Sequence, residues 1–62
     1  MKIIQVDNYG RETISDILIA ENVNLMNGKE ITEFLNKKYS GVDSSIYFRL
    51  VKDDYKLFVY NI

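Results

Sequence analysis

The sequence predicts a two-layer α+β domain of ββαββ order, a four-stranded, mostly antiparallel sheet with one helix on one face. Three observations carry that prediction. A β-branched run opens the chain at Lys2-Ile3-Ile4-Gln5-Val6, one amphipathic segment occupies the middle, and two alternating apolar runs close it around Lys52-Asp53-Asp54. At 62 residues the chain makes a single domain, residues 1–62, and a domain this small buries only about 60% of its unfolded surface. There is no cysteine and no histidine, so neither a disulfide nor a Cys/His zinc site can staple it. A hydrophobic fraction of 47% is too high for disorder and leaves apolar surface for an interface, most simply a homodimer.

Each element has a local reason. In Asp7-Asn8-Tyr9-Gly10 the Asp and Asn side chains bond nearby backbone and Gly tolerates positive φ, which makes a turn. The stretch 13–22 fits two periods. Ile14, Ile17 and Leu18 suit a helix, whereas the β-branched density of Ile17-Leu18-Ile19-Ala20 after a turn favours a strand buried on both faces.

The helix is read from Leu25 to Tyr39. Asn24 caps its first turn, and Leu25, Gly28, Ile31, Thr32, Leu35 and Tyr39 recur at three- and four-residue steps. Lys37 and Lys38 suit the C-terminal end of the dipole, and Ser40-Gly41 ends it with Gly41 as the cap. Gly28 costs about 1 kcal/mol of helix propensity relative to Ala, which points to close approach of helix and sheet. The competing reading makes Asn27-Gly28 a hairpin turn. Asn27, Lys29, Glu30, Glu33, Asn36 and Lys37 form the solvated face.

Ile46-Tyr47-Phe48-Arg49-Leu50-Val51 and Tyr55-Lys56-Leu57-Phe58-Val59-Tyr60 then read as a terminal hairpin. Ile46, Phe48 and Leu50 share the core face. Tyr47, Arg49 and Val51 share the other, which one helix cannot also cover, so that face must be polar or meet something.

Composition excludes more functions than it suggests. Without His or Cys, most nucleophile–base pairs and most transition-metal sites are unavailable, and 62 residues leave almost no volume for a cleft between two carboxylates. Asp7, Asp53 and Asp54 could ligate only a hard cation, and no loop has calcium-hand spacing. The expectation is a non-enzymatic protein with no cofactor and no metal. Eight basic against nine acidic residues give a net charge of −1, which argues against nucleic acid. The longest apolar run, Ile17 to Ala20, is far too short to span a bilayer, and the first residues do not form a signal peptide, so a cytoplasmic location is expected.

Partner contact is expected at two places. Tyrosine and arginine on the non-core face of the terminal hairpin, Tyr47 and Arg49, and the two turns, with Tyr9 and Arg11 at one and Asp54 and Tyr55 at the other, combine the residue types enriched at interface hot spots. If both hairpins point the same way, the two turns form one polar, tyrosine-flanked edge. Aromatics beside basic residues on a sheet also suit single-stranded nucleic acid, the alternative reading. A homo-oligomeric assembly protein is the third.

Ile, Asn, Lys and Tyr, all specified by AT-rich codons, make up 25 of 62 residues, which points to a low-GC source. Val6-Asp7-Asn8-Tyr9, Arg11-Glu12-Thr13, Ala20-Glu21-Asn22, Leu35-Asn36 and Val51-Lys52-Asp53-Asp54-Tyr55-Lys56-Leu57 extend the pattern. With these segments the chain resembles short uncharacterised proteins of phages and prophages of low-GC Gram-positive bacteria. The resemblance implies an accessory protein that binds a host protein, in the host cytoplasm, and blocks an enzyme or defence complex sterically.

Overall fold

The computed structural model describes residues 1–61. Four elements follow in order: β1 (Lys2–Asp7), β2 (Ile17–Ala20), α1 (Leu25–Tyr39) and β3 (Ile46–Val51). The strands form one antiparallel sheet in the order β2-β1-β3, so the N-terminal strand is central. The fold is α+β with one helix and three strands. The ambiguous stretch 13–22 holds a strand at Ile17–Ala20, with a register shift against β1 between Ile3 and Ile4, but as an edge strand it is exposed rather than buried on both faces as expected.

The helix has the predicted bounds and the predicted start. Asn24 sits outside it with extended backbone, and its Oδ1 accepts from the Asn27 N–H at 2.8 Å. Its end differs from expectation. Ser40, not Gly41, closes the helix: its backbone is extended and its N–H donates to the Asn36 carbonyl at 2.9 Å. The Ser44 hydroxyl donates to the Tyr39 carbonyl, so no left-handed glycine is needed there.

Gly28 is the contact point between the layers, in keeping with the cost of a glycine inside a helix. It is the one buried residue of α1, and a Cβ there would lie 2.6 Å and 3.1 Å from the two terminal methyls of Leu50 and 3.4 Å from Val23. Ile3, which pairs with Leu50 across the ladder, is fully buried on this side, and Tyr39 tilts against Phe48 with ring centroids 6.4 Å apart.

The fourth strand expected at 55–60 does not form, and the order ββαββ is corrected to ββαβ followed by an extended segment. The reason lies on the outer edge of β3. Asn36, expected on the solvated face, is half-buried and reaches that edge: its Nδ2 donates to the Phe48 carbonyl at 2.9 Å and its Oδ1 accepts from the Phe48 N–H at 2.7 Å. One side-chain amide thus occupies the outward backbone groups of Phe48, in the middle of the edge a hairpin partner would use, and the Ser44 hydroxyl contacts those of Ile46.

The chain instead turns at 52–54, where the Tyr55 N–H donates to the Lys52 carbonyl, and doubles back over the sheet face opposite the helix. There Tyr55 and Leu57, with Tyr47, pack against the buried cluster of Ile4, Val6 and Val51. This segment (the strap) is what the second face meets. Its far end is pinned beside β2. The Asp16 N–H donates to the Phe58 carbonyl, the Phe58 N–H donates to Asp16 Oδ2, and the Tyr60 N–H donates to Ser15 Oγ, each at 2.8 Å.

Two outcomes follow for stability. Gly28→Ala gains helix propensity but crowds Leu50, and overpacking of this kind costs about 1–3 kcal/mol against a gain of about 1. A net loss is expected in urea denaturation. In a Leu50→Ala background the crowding is absent, and the same substitution should become stabilising. Asn36→Ala leaves the Phe48 N–H and C=O without their partner and should lower stability by about 2 kcal/mol, more than any exposed helix substitution.

Candidate functional site

The strap does not lie flat over the whole second face. Between it, β1, β3 and the loop after β1 it leaves a concavity of about 280 Å³, lined by Val6, Asp7, Gly10, Arg11, Glu12, Ile14, Asp16, Tyr47, Arg49, Tyr55 and Phe58. The chain contains two arginines, and both line it.

The Arg11 side is built by the loop after β1. Gly10 takes φ +66°, a left-handed conformation that glycine adopts without steric cost, and this turns the chain so that residue 11 returns to residue 7. Arg11 then grips Asp7 through both Nη2 (2.6 Å) and Nε (3.1 Å and 3.2 Å), while its own N–H donates to Asp7 Oδ2 at 2.7 Å. The Arg11 guanidinium also lies 5.4 Å from the centre of the Tyr9 ring. The loop is tied to the segment before β3 by Asn8, whose N–H donates to the Ser45 carbonyl and whose side chain donates to that of Ser44.

The hydrogen bonds from Arg11 hold the Asp7 carboxyl below its usual range, against a smaller opposing effect of desolvation, and Asp7 in turn raises Arg11 further. Both remain charged at neutral pH, so neither can shuttle a proton there.

The other side comes from β3 and the strap. Arg49 is exposed, and its guanidinium lies 5.6 Å from the centre of the Tyr55 ring. Among the described residues it forms no ion pair and no side-chain hydrogen bond, in contrast to Arg11. The Tyr55 hydroxyl points at Asp16 Oδ2, 3.5 Å away, and that oxygen is already held by the Phe58 N–H.

Four of the six residues expected to bind a partner, Arg11, Tyr47, Arg49 and Tyr55, therefore line one concavity, and Tyr9 adjoins it through Arg11. Asp54 does not line it. The expectation that the two turns share an edge is corrected by the register: Lys2 pairs with Val51 and Asp7 with Ile46, so the turn at 52–54 and the loop after Asp7 lie at opposite ends of the sheet. The turn at 52–54 sits beside the N-terminus, whose ammonium lies 3.0 Å from Asp53. Tyr55 reaches the concavity only because the strap doubles back.

Asp16, Ile14 and Phe58 line the concavity without any sign of it in the sequence. Their nearness depends on the strap reaching β2, and no local pattern signals that. Among the described residues there is no cluster of acidic residues arranged to hold a metal ion. Among them, no helix is long and apolar enough to cross a membrane. Comparison with protein-family models, with curated proteins and with solved structures returned no match.

The Asp7–Arg11 arrangement sets a pH dependence. A carboxyl depressed in the folded state stabilises the fold fully above its unfolded value of about 4, and the contribution is lost as pH falls through the lower folded value. Asp7→Asn removes this group from the titration. Urea midpoints measured from neutral pH down into the acid range should fall less steeply for Asp7→Asn than for the wild type below about pH 4. Parallel curves would assign the acid sensitivity to other carboxylates.

Proposed function

We propose that the chain is a non-enzymatic protein-binding module that docks a partner at the concavity between the strap, β1 and β3. The observation that carries this reading is the convergence of both arginines with Tyr47 and Tyr55 on one concave, partly aromatic surface. Tyrosine and arginine dominate interface hot spots because each offers a large, rigid contact area together with directional hydrogen bonding.

The division of labour between the arginines supports it. Arg11 is fixed by Asp7 and shapes the wall, whereas Arg49, stacked on Tyr55 and without a carboxylate partner among the described residues, is available to a ligand. Its partner group would be a carboxylate or backbone carbonyl of the bound protein. The resemblance to short phage and prophage proteins supplies the class of target, a host enzyme or defence complex, and the mechanism is steric blocking of the surface covered.

The nucleic-acid reading draws less support from the same geometry. Asp7, Glu12 and Asp16 line the concavity against two guanidiniums, one of them already neutralised. A phosphate backbone would meet a surface with no positive excess.

The test is affinity capture from a lysate of a low-GC Gram-positive bacterium, with nuclease added, using wild type, Arg49→Ala and Tyr55→Phe. Arg49→Ala tests the free guanidinium, and Tyr55→Phe keeps the packing on Ile4 and Val6 while removing the hydroxyl. One stoichiometric protein held by the wild type should lose more than about 1 kcal/mol of affinity, about fivefold, with Arg49→Ala. Retention of full affinity by a folded Arg49→Ala variant would remove the concavity from consideration. Binding that vanishes with nuclease would favour the alternative.

A further inference from the structure

The concavity beneath the strap is small, partly aromatic and unevenly charged. Its volume of about 280 Å³ lies just below the range of pockets that hold drug-sized ligands, about 300–1,000 Å³, and suits one long side chain. Three carboxylates line it against two guanidiniums. Asp7 and Arg11 hold each other and cancel. Glu12 and Asp16 remain against Arg49 alone, and among the described residues none of these three forms an ion pair. Asp16 is half-buried, where solvent screens its charge less. Its Oδ2 accepts from the Phe58 N–H, and its Oδ1 has no hydrogen-bond partner among the described residues. The unspent charge of the site is therefore negative.

We infer that the concavity takes a long basic side chain of the bound protein, an arginine or a lysine, whose cationic head meets Glu12 and Asp16. Such a side chain buries an aliphatic stem and keeps its charged head among polar groups. Val6 and Ile14 supply apolar surface for the stem, and the two carboxylates supply the acceptors. The aromatic lining suits the same occupant, because a ring face attracts a cation. The chain places its own guanidiniums in this way, Arg49 5.6 Å from the centre of the Tyr55 ring and Arg11 5.4 Å from that of Tyr9. Tyr47 and Phe58 also line the concavity, and neither ring carries a cation among the described residues.

An acidic anchor fits less well. It would find one unspent guanidinium and two unspent carboxylates, and like charges brought together at an interface oppose binding. With a basic anchor in place, Arg49 is left to a neutral acceptor, a backbone carbonyl next to the anchor, rather than to a second carboxylate. The inference rests on the docking reading for the occupant being part of a protein. The sign of the anchor's charge follows from the lining alone, so the two can fail separately.

Titration of the isotope-labelled chain with Nα-acetyl-arginine amide, Nα-acetyl-lysine amide and, as the acidic control, Nα-acetyl-glutamate amide tests it by nuclear magnetic resonance. A basic probe should saturate with a dissociation constant on the order of millimolar, as befits a fragment, and shift the amides of Gly10, Glu12, Asp16 and Tyr55. The acidic probe should leave them in place. Glu12→Gln changes an exposed residue, and Asp16→Asn keeps an acceptor for the Phe58 N–H. Each should weaken the basic probe about twofold or more, and the double variant further. Arg49→Gln, which removes the opposing charge and keeps a donor, should tighten it. Should Asp16→Asn fail to fold, Glu12→Gln and the wild-type titrations still decide. Absence of saturable shifts with both basic probes overturns the inference. So do an acidic probe that binds as well as the basic ones, and basic binding indifferent to Glu12→Gln and Asp16→Asn or weakened by Arg49→Gln. A captured partner lost with Arg49→Ala but unaffected by Glu12→Gln and Asp16→Asn overturns it too, and leaves the docking reading standing. Basic probes seated as expected, beside a captured partner indifferent to Arg49→Ala, would support the cation site and remove the docking reading instead.

Discussion

The amide of Asn36 seated on the backbone of Phe48 is the constraint on which the rest of the molecule depends. Together with the Ser44 hydroxyl on Ile46 it occupies the outer edge of β3 at Phe48, and by doing so redirects the last apolar residues of the chain. A chain leaving Val51 through a tight turn would ordinarily fold back as a hairpin partner, gaining a ladder of backbone hydrogen bonds. With that edge occupied, the same residues gain more by crossing the second face, where Tyr55 and Leu57 cover Ile4 and Val6. The sheet is thereby covered on both sides by a chain that carries only one helix.

That solution has consequences at both ends of the strap. Crossing the face rather than following the edge leaves space beneath it, and the concavity is that space, walled by the two arginines and two of the tyrosines. At its far end the strap spends its hydrogen bonds on Ser15 and Asp16, just before β2, and leaves the remainder of β2 uncovered. The concavity and the open edge are thus products of one packing decision, made on the opposite side of the sheet.

What the sequence discloses and what it hides divide along the same line. Features set by neighbours in the chain are legible: the Asn24 cap, the helix period from Leu25 to Tyr39, the strand content of Ile17 to Ala20, and the close approach signalled by a glycine at position 28. Gly41 reads as a cap because glycine usually is one, whereas Ser40 and Ser44 satisfy the helix end without it. Asn36 reads as solvated because an asparagine on the polar side of a helix gives no sign of a strand edge beside it. Without that contact 55–60 reads as a fourth strand, since Tyr55-Lys56-Leu57-Phe58-Val59-Tyr60 has the composition of one. Arg11, Tyr47, Arg49 and Tyr55 are legible through residue type alone. Asp54 is misplaced by the sequence because the turn that carries it lies at the other end of the sheet, which only the register reveals.

Whether the C-terminal segment crosses the sheet or extends it is decided most directly by the nuclear Overhauser contacts of Leu57. In a uniformly labelled sample, the Leu57 methyls should show cross-peaks to the side chains of Ile4 and Val6, with the Phe58 amide close to Asp16. A ladder of backbone contacts between β3 and residues 55–60, without the contacts to Ile4 and Val6, would establish a hairpin. It would contradict the closure of the β3 edge by Asn36.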